Sequence, residues 1–127
     1  MTITMARALT LPWSVIVPDN QRHGVINGRV LLTAKYRRAL RDASALAAVY
    51  CKGGPLEGDV HLRVDVFPPD RRRRDLLNCA KLICDALTGV AYRDDSQIAR
   101  TEWVRQSVDR DNPRVEIWVR GYPGEAA

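Results

Sequence analysis

Residues 59–87 read DVHLRVDVFPPDRRRRDLLNCAKLICDAL, and a change of period inside them decides the fold. From Asp59 to Phe67, Val60, Leu62, Val64 and Val66 alternate with His61, Arg63 and Asp65. That is the two-residue period of a strand with one apolar face. Pro68-Pro69 ends it, because proline cannot donate to a sheet ladder. A basic loop follows. Leu76, Cys79, Ala80, Ile83 and Leu87 then recur at helical spacing, which predicts a helix from about Asp75 to Leu87 with Gly89 as its stop.

Upstream, Arg7 to Trp13 (RALTLPW) places Leu9, Leu11 and Trp13 on one face of a strand. Pro12 marks it as ending or lying at a sheet edge. Ser14 to Gly28 carries Pro, Asp-Asn, His-Gly and Asn-Gly and reads as a long loop. Arg29 to Leu32 is a short extended segment. Thr33 can cap a helix reaching about Cys51, with Tyr36, Leu40, Ala43, Ala47 and Tyr50 as its apolar stripe. Gly53-Gly54-Pro55 stops it. Downstream, Gln97 to Val108 and Arg114 to Arg120 read as a closing hairpin. The sum is a single α+β domain over 1–127, a mixed sheet of about four strands with two helices packed on it. Residues 14–28 are expected as a long loop and 121–127 as a disordered tail.

A net charge of +5 and a pI near 9.5 favour an acidic partner, nucleic acid first and an anionic membrane surface second. Of the 20 basic residues, 17 are arginine, whose planar fork grips phosphate oxygens in pairs. GC-rich codons also enrich Arg, so clustering says more than content. No run of about 20 apolar residues exists to span a bilayer. Cys51, Cys79 and Cys84, an odd set without CxxC spacing, point to reduced thiols and a cytoplasmic setting. With only His23 and His61, zinc has too few ligands.

The chemistry concentrates after the strand. Arg71, Arg72, Arg73 and Arg74 repel one another unless an anion sits among them. A solvated loop is the plain reading; contact with DNA phosphate relieves the repulsion. Asn78, Lys81 and Asp85 share the helix face opposite the apolar stripe. Asp75 stands at the helix start, where Asp is also a common N-cap, and Lys81 can simply pair with Asp85. Asp94-Asp95 lies in a turn past the helix. A helix of this length separates its ends by about 20 Å, so Asp95 meets Asp75 only if the following segment runs back along it. Cations for phosphate beside carboxylates for a divalent metal are what phosphodiester cleavage needs.

Residues 64–100 resemble the RusA family of Holliday junction resolvases, small endonucleases of phages and prophages. The resemblance rests on Pro69-Asp70, the four arginines, Asp75-Leu76, Asn78, Lys81, Asp85-Ala86-Leu87, Asp94-Asp95 and Gln97-Ile98, with an early Leu11-Pro12-Trp13. It implies a homodimer that cuts four-way (branched) DNA junctions with Mg²⁺, Mn²⁺ being an alternative. Asp75 and Asp95 match two of the family's essential acids, and Lys81 its catalytic lysine. The third acid is missing: the family's Asp-Leu-Asp-Asn is Asp75-Leu76-Leu77-Asn78 here. Asp85 or Asp94 completes the metal site, or fewer ligands hold the ion, or the protein binds branched DNA without cutting it. Arg71 to Arg74, Asn78 and Lys81 are the expected DNA contacts.

Overall fold

The computed structural model describes residues 6–123. Four strands form one mixed sheet: β1 (Ala6–Pro12), β4 (Val60–Phe67), β5 (Ile98–Arg105) and β6 (Arg114–Gly121), in the order β1-β6-β4-β5. Helices α1 (Ala34–Tyr50) and α2 (Ala80–Leu87) cover its apolar face. Leu9 and Leu11 of β1, alternate residues of β4, and Val115, Ile117 and Val119 of β6 are buried against Ala43, Ala47, Ile83, Ala86 and Leu87. The α+β expectation therefore holds. Among the described residues, no helix is long and apolar enough to cross a membrane.

The expected closing hairpin does not form. Strand β5 pairs parallel with β4, whereas β6 is antiparallel to both β4 and β1 and lies between them. Helix α2 carries the chain back along the sheet, so β5 must run parallel to β4. The link after β5 then passes over the end of β4, where the Gln106 N–H bonds the Val66 carbonyl at 2.8 Å and the Asp109 N–H bonds Pro68 at 2.9 Å. The three core residues of β6, all fully buried, suit a strand paired on both sides.

Residues 14–28 are also more ordered than a loop. They hold two 3-10 turns (Trp13–Val15 and Asp19–Gln21) and strand β2 (His23–Ile26), which pairs with β3 (Arg29–Leu32). The connecting Asn27 and Gly28 both have positive φ, 52° and 76°. That is the backbone the Asn-Gly dipeptide favours in a two-residue hairpin. Thr33 caps α1 as expected: its hydroxyl oxygen accepts the Tyr36 N–H at 3.1 Å. Tyr50, assigned to the buried stripe, is exposed, and Ala39 is buried in the next turn back from Ala43. Cys51, four residues past Ala47, takes the buried position at that end instead. Gly121 closes β6 and the Tyr122 N–H bonds Asp59, so the expected tail is ordered this far; 124–127 lie outside the described residues.

On the other face of β4, His61 and Asp65 are buried instead of solvated. Arg63 lies 3.3 Å from Asp65, and Arg120 bonds His61 Nδ1 at 3.4 Å, so charged neighbours cover them.

Candidate active site

The basic loop is a folded turn. Asp70 accepts the Arg72 N–H at 2.8 Å and pairs with Arg74 at 2.8 Å, and these contacts hold its carboxyl down to about 2. Arg74 also lies over the Trp13 ring at 5.4 Å, and its carbonyl accepts from Arg105 at 2.8 Å. Arg74 is thus a structural pin. Arg71, Arg72 and Arg73 are exposed and have no ion-pair partner among the described residues. Their charge is available to an anion.

The loop runs into Asp75, which caps a 3-10 turn over Leu76–Cys79 that continues into α2. One carboxylate oxygen accepts the Leu77 N–H at 3.1 Å; the other takes no hydrogen bond from the described residues. The cap and a ligand role are therefore compatible. Asp75 and Asn78 line a groove with Arg72, Arg73, Trp13 and Asn20. Lys81 and Asp85, one helical turn apart, form an ion pair at 3.1 Å. Leu77, in place of the family's acid, is exposed.

Asp19 was not legible as a site residue, because it sits in a segment read as loop. One of its oxygens accepts the Lys81 backbone N–H at 3.1 Å, and the other is buried without a partner among the described residues. Beside it, the Asn20 N–H donates to Asn78 Oδ1 at 3.4 Å. The segment before β2 is thereby tied to the start of α2. A turn residue holding a helix distant in sequence leaves no local signal beyond Pro18-Asp19-Asn20.

Asp94 and Asp95 lie past the other end of α2. Asp94 caps the 3-10 turn over Asp95–Gln97, accepting the Ser96 N–H at 3.1 Å, which holds its carboxyl below the usual range. Gln97 completes a capping box and bonds the Leu56 and Gly58 carbonyls at 2.9 and 2.7 Å. This anchors the turn beside the start of β4. Asp95 is exposed.

The thiols between these groups register the two ends. Burial, then the Asp19 charge, pushes the Cys79 thiol up to about 12, with Asp75 adding to it. Burial also pushes Cys84 up, and there the added charges are Asp95 and Asp85. Carboxylates thus line α2 from end to end: Asp75 caps the turn leading into it, Asp19 holds the Lys81 N–H in its first turn, Asp85 pairs with Lys81, and Asp95 follows its end. Among the described residues, no three His, Cys, Asp or Glu side chains are grouped to hold a metal. The structure does not gather Asp75, Asp85, Asp94 and Asp95 into one cage.

Free arginines leading into a strip of carboxylates and a lysine make a domain suited to nucleic-acid phosphodiesters. The comparisons agree. Residues 12–120 match the Endodeoxyribonuclease RusA family. The chain is 35% identical over 117 residues to the crossover junction endodeoxyribonuclease rusA of Enterobacteria phage 82, covering 87% of this chain and 91% of that protein. It is 31% identical over 114 residues to the proteins of the same name from Shigella sonnei and Escherichia coli K12, covering 88% of this chain and 92% of theirs. The chain belongs to the RusA family of endodeoxyribonucleases.

Proposed function

We propose that this chain is a Mg²⁺-dependent crossover junction endodeoxyribonuclease that resolves four-way DNA by paired nicks, as a homodimer in the cytoplasm of a bacterial or phage-infected cell. The observation that carries it is the direct run from unpaired Arg71, Arg72 and Arg73 into Asp75, with Lys81 on the next turn. Carboxylate oxygens are the right donors for a hard cation. Mg²⁺ commonly takes one or two carboxylates together with substrate phosphates, not an all-protein cage. Asp75 and Asp95 are the two protein ligands proposed. The ion supplies acidification of water and neutralisation of the scissile phosphate.

The chain's own groups do the rest. Arg71 to Arg73 hold phosphates of the strand beside the groove. Asn78, kept in place by Asn20, borders the same groove. Lys81 leaves Asp85 for the phosphate and offsets the charge that develops on it; Asp85 holds the ammonium until then. A two-fold dimer sets two such sites on opposite strands of a two-fold junction.

A second reading is a junction-binding protein that does not cut. It is favoured by Leu77 at the position of the missing acid and by the engagement of Asp94 in a turn cap. Incubating the protein with a labelled four-way junction, with and without Mg²⁺ or Mn²⁺, separates the two. Symmetric nicks that need metal support the nuclease, and metal-independent binding without nicks supports the second reading. Light scattering that finds a monomer at micromolar concentration, with single uncoupled nicks, rejects the homodimer.

The arginines are expected to act unequally. Arg71→Ala with Arg73→Ala weakens binding to every DNA shape and flattens the slope of log K against log salt by about one to two units. Arg74→Ala lowers thermal stability instead, because it removes the Asp70 pair and the Trp13 stack. An unchanged salt slope in the double variant returns the run to a solvated loop.

A further inference from the structure

The β2–β3 hairpin is anomalous for a water-facing element. Val25, Ile26 and Val30 are 72%, 60% and 67% exposed, and Val25 pairs directly with Val30 across the strands. β-branched side chains at these positions stiffen the hairpin, and they leave apolar surface that no described residue covers. The hairpin forms its own two-stranded sheet, apart from the main one.

Its base is fixed. The Thr33 N–H bonds the Arg22 carbonyl at 2.9 Å, and the Thr33 hydroxyl donates to the Gln21 carbonyl at 2.9 Å. Just before it, Asp19 and Asn20 hold Lys81 and Asn78. The arm is therefore continuous with the candidate site.

Charge decides what covers the tip. The arm itself, residues 22–32, has no acidic residue and carries Arg22 at its base and Arg29 beside its tip. A second copy meeting this surface through a two-fold contact would set like charges against each other. A polyanion would not. Intact duplex offers stacked, enclosed bases, but a branch point exposes base faces that have lost a stacking neighbour. Apolar side chains inserted at such steps are a known way to hold bases apart.

We infer that the β2–β3 hairpin is a branch-probing arm: Val25 and Val30 on one face and Ile26 on the other lie against unstacked bases at the centre of branched DNA, and Arg29, on the Ile26 face, holds a flanking phosphate. This rests on the proposed action on four-way junctions and adds how a junction is told from linear duplex. The arm selects the substrate and takes no part in cleavage.

Four-way junctions carrying 2-aminopurine at the branch point or mid-arm test this in EDTA, where cutting cannot interfere. Wild-type protein is expected to raise branch-point fluorescence about threefold and mid-arm fluorescence little. The Val25→Ser/Ile26→Ser/Val30→Ser variant should lose that rise and about tenfold of its preference for junction over duplex, while keeping its affinity for linear duplex. Circular dichroism and Val30→Ser alone guard against misfolding, and the substituted side chains are exposed. A triple variant that raises fluorescence like wild type overturns the inference and leaves the junction reading intact. So does a variant that turns from dimer to monomer, since a second copy then owns the surface, or one that loses only binding to phosphatidylserine vesicles. If wild-type protein binds junction and duplex equally, the junction reading falls and the arm with it.

Discussion

Asp75→Asn slows nicking of a four-way junction by about a hundredfold or more, the loss of roughly 3 kcal/mol of transition-state stabilisation, and leaves the domain folded. The structure makes this substitution informative. Asp75 caps the turn before α2 through the Leu77 N–H, and asparagine caps nearly as well. The variant keeps the cap and loses only the anionic ligand. Junction affinity should stay level or rise, because a negative charge near phosphate is gone. Asp75→Ala removes both roles and should add a stability loss of about 1 kcal/mol. Gel assays of nicking and binding, with thermal melts of both variants, are the measurement. Wild-type nicking by Asp75→Asn would reduce Asp75 to a cap. Asp95→Asn should abolish nicking in the same way, without touching a cap.

Leu77→Asp is expected to lower the Mg²⁺ concentration for half-maximal cleavage by about tenfold, worth about 1.4 kcal/mol of ion binding. Leu77 is exposed and two residues past Asp75, so the new carboxylate displaces no core contact. Two protein acids are a thin shell for a hard cation, and a third should be felt. The competing outcome has a different pattern. If Asp85 or Asp94 already completes the site, Leu77→Asp crowds it with like charge, and Asp85→Asn or Asp94→Asn abolishes cleavage. Asp85→Asn costs little stability, because it removes one partly exposed ion pair worth only a few tenths of a kcal/mol. Titrating Mg²⁺ against nicking rate in the three variants discriminates. If neither Leu77→Asp nor any metal yields nicks, the binding-only reading stands.

Elements that announce themselves locally were legible in the chain. Strand β4 carries its two-residue period and a double proline stop, and α1 carries a threonine cap. The Asn27-Gly28 turn was equally local, but the surrounding polar residues read as one loop and hid the hairpin. Strand order was not legible. That β6 lies between β1 and β4 is a matter of long-range pairing, which its two-residue period does not specify. The four arginines look alike in sequence; only the fold separates Arg74, spent on Asp70 and Trp13, from the three free ones. Asp19 escaped for a related reason: its partner, the Lys81 N–H, is 62 residues away.

The central position of β6 also bears on synthesis. Among the described residues, strand β1 has β6 as its only neighbour in the sheet, and β6 is the last strand. While the ribosome is still making residues before Arg114, β1 has no strand to pair with and one edge of β4 stands open. Such non-local pairing cannot accumulate piecemeal as the chain emerges. The nascent polypeptide therefore cannot complete the sheet that supports α2 and its strip of charges until nearly all the described residues exist. The support beneath Asp75, Lys81 and Asp85 is thus a late product of synthesis, added only when residues 114–121 have left the ribosome.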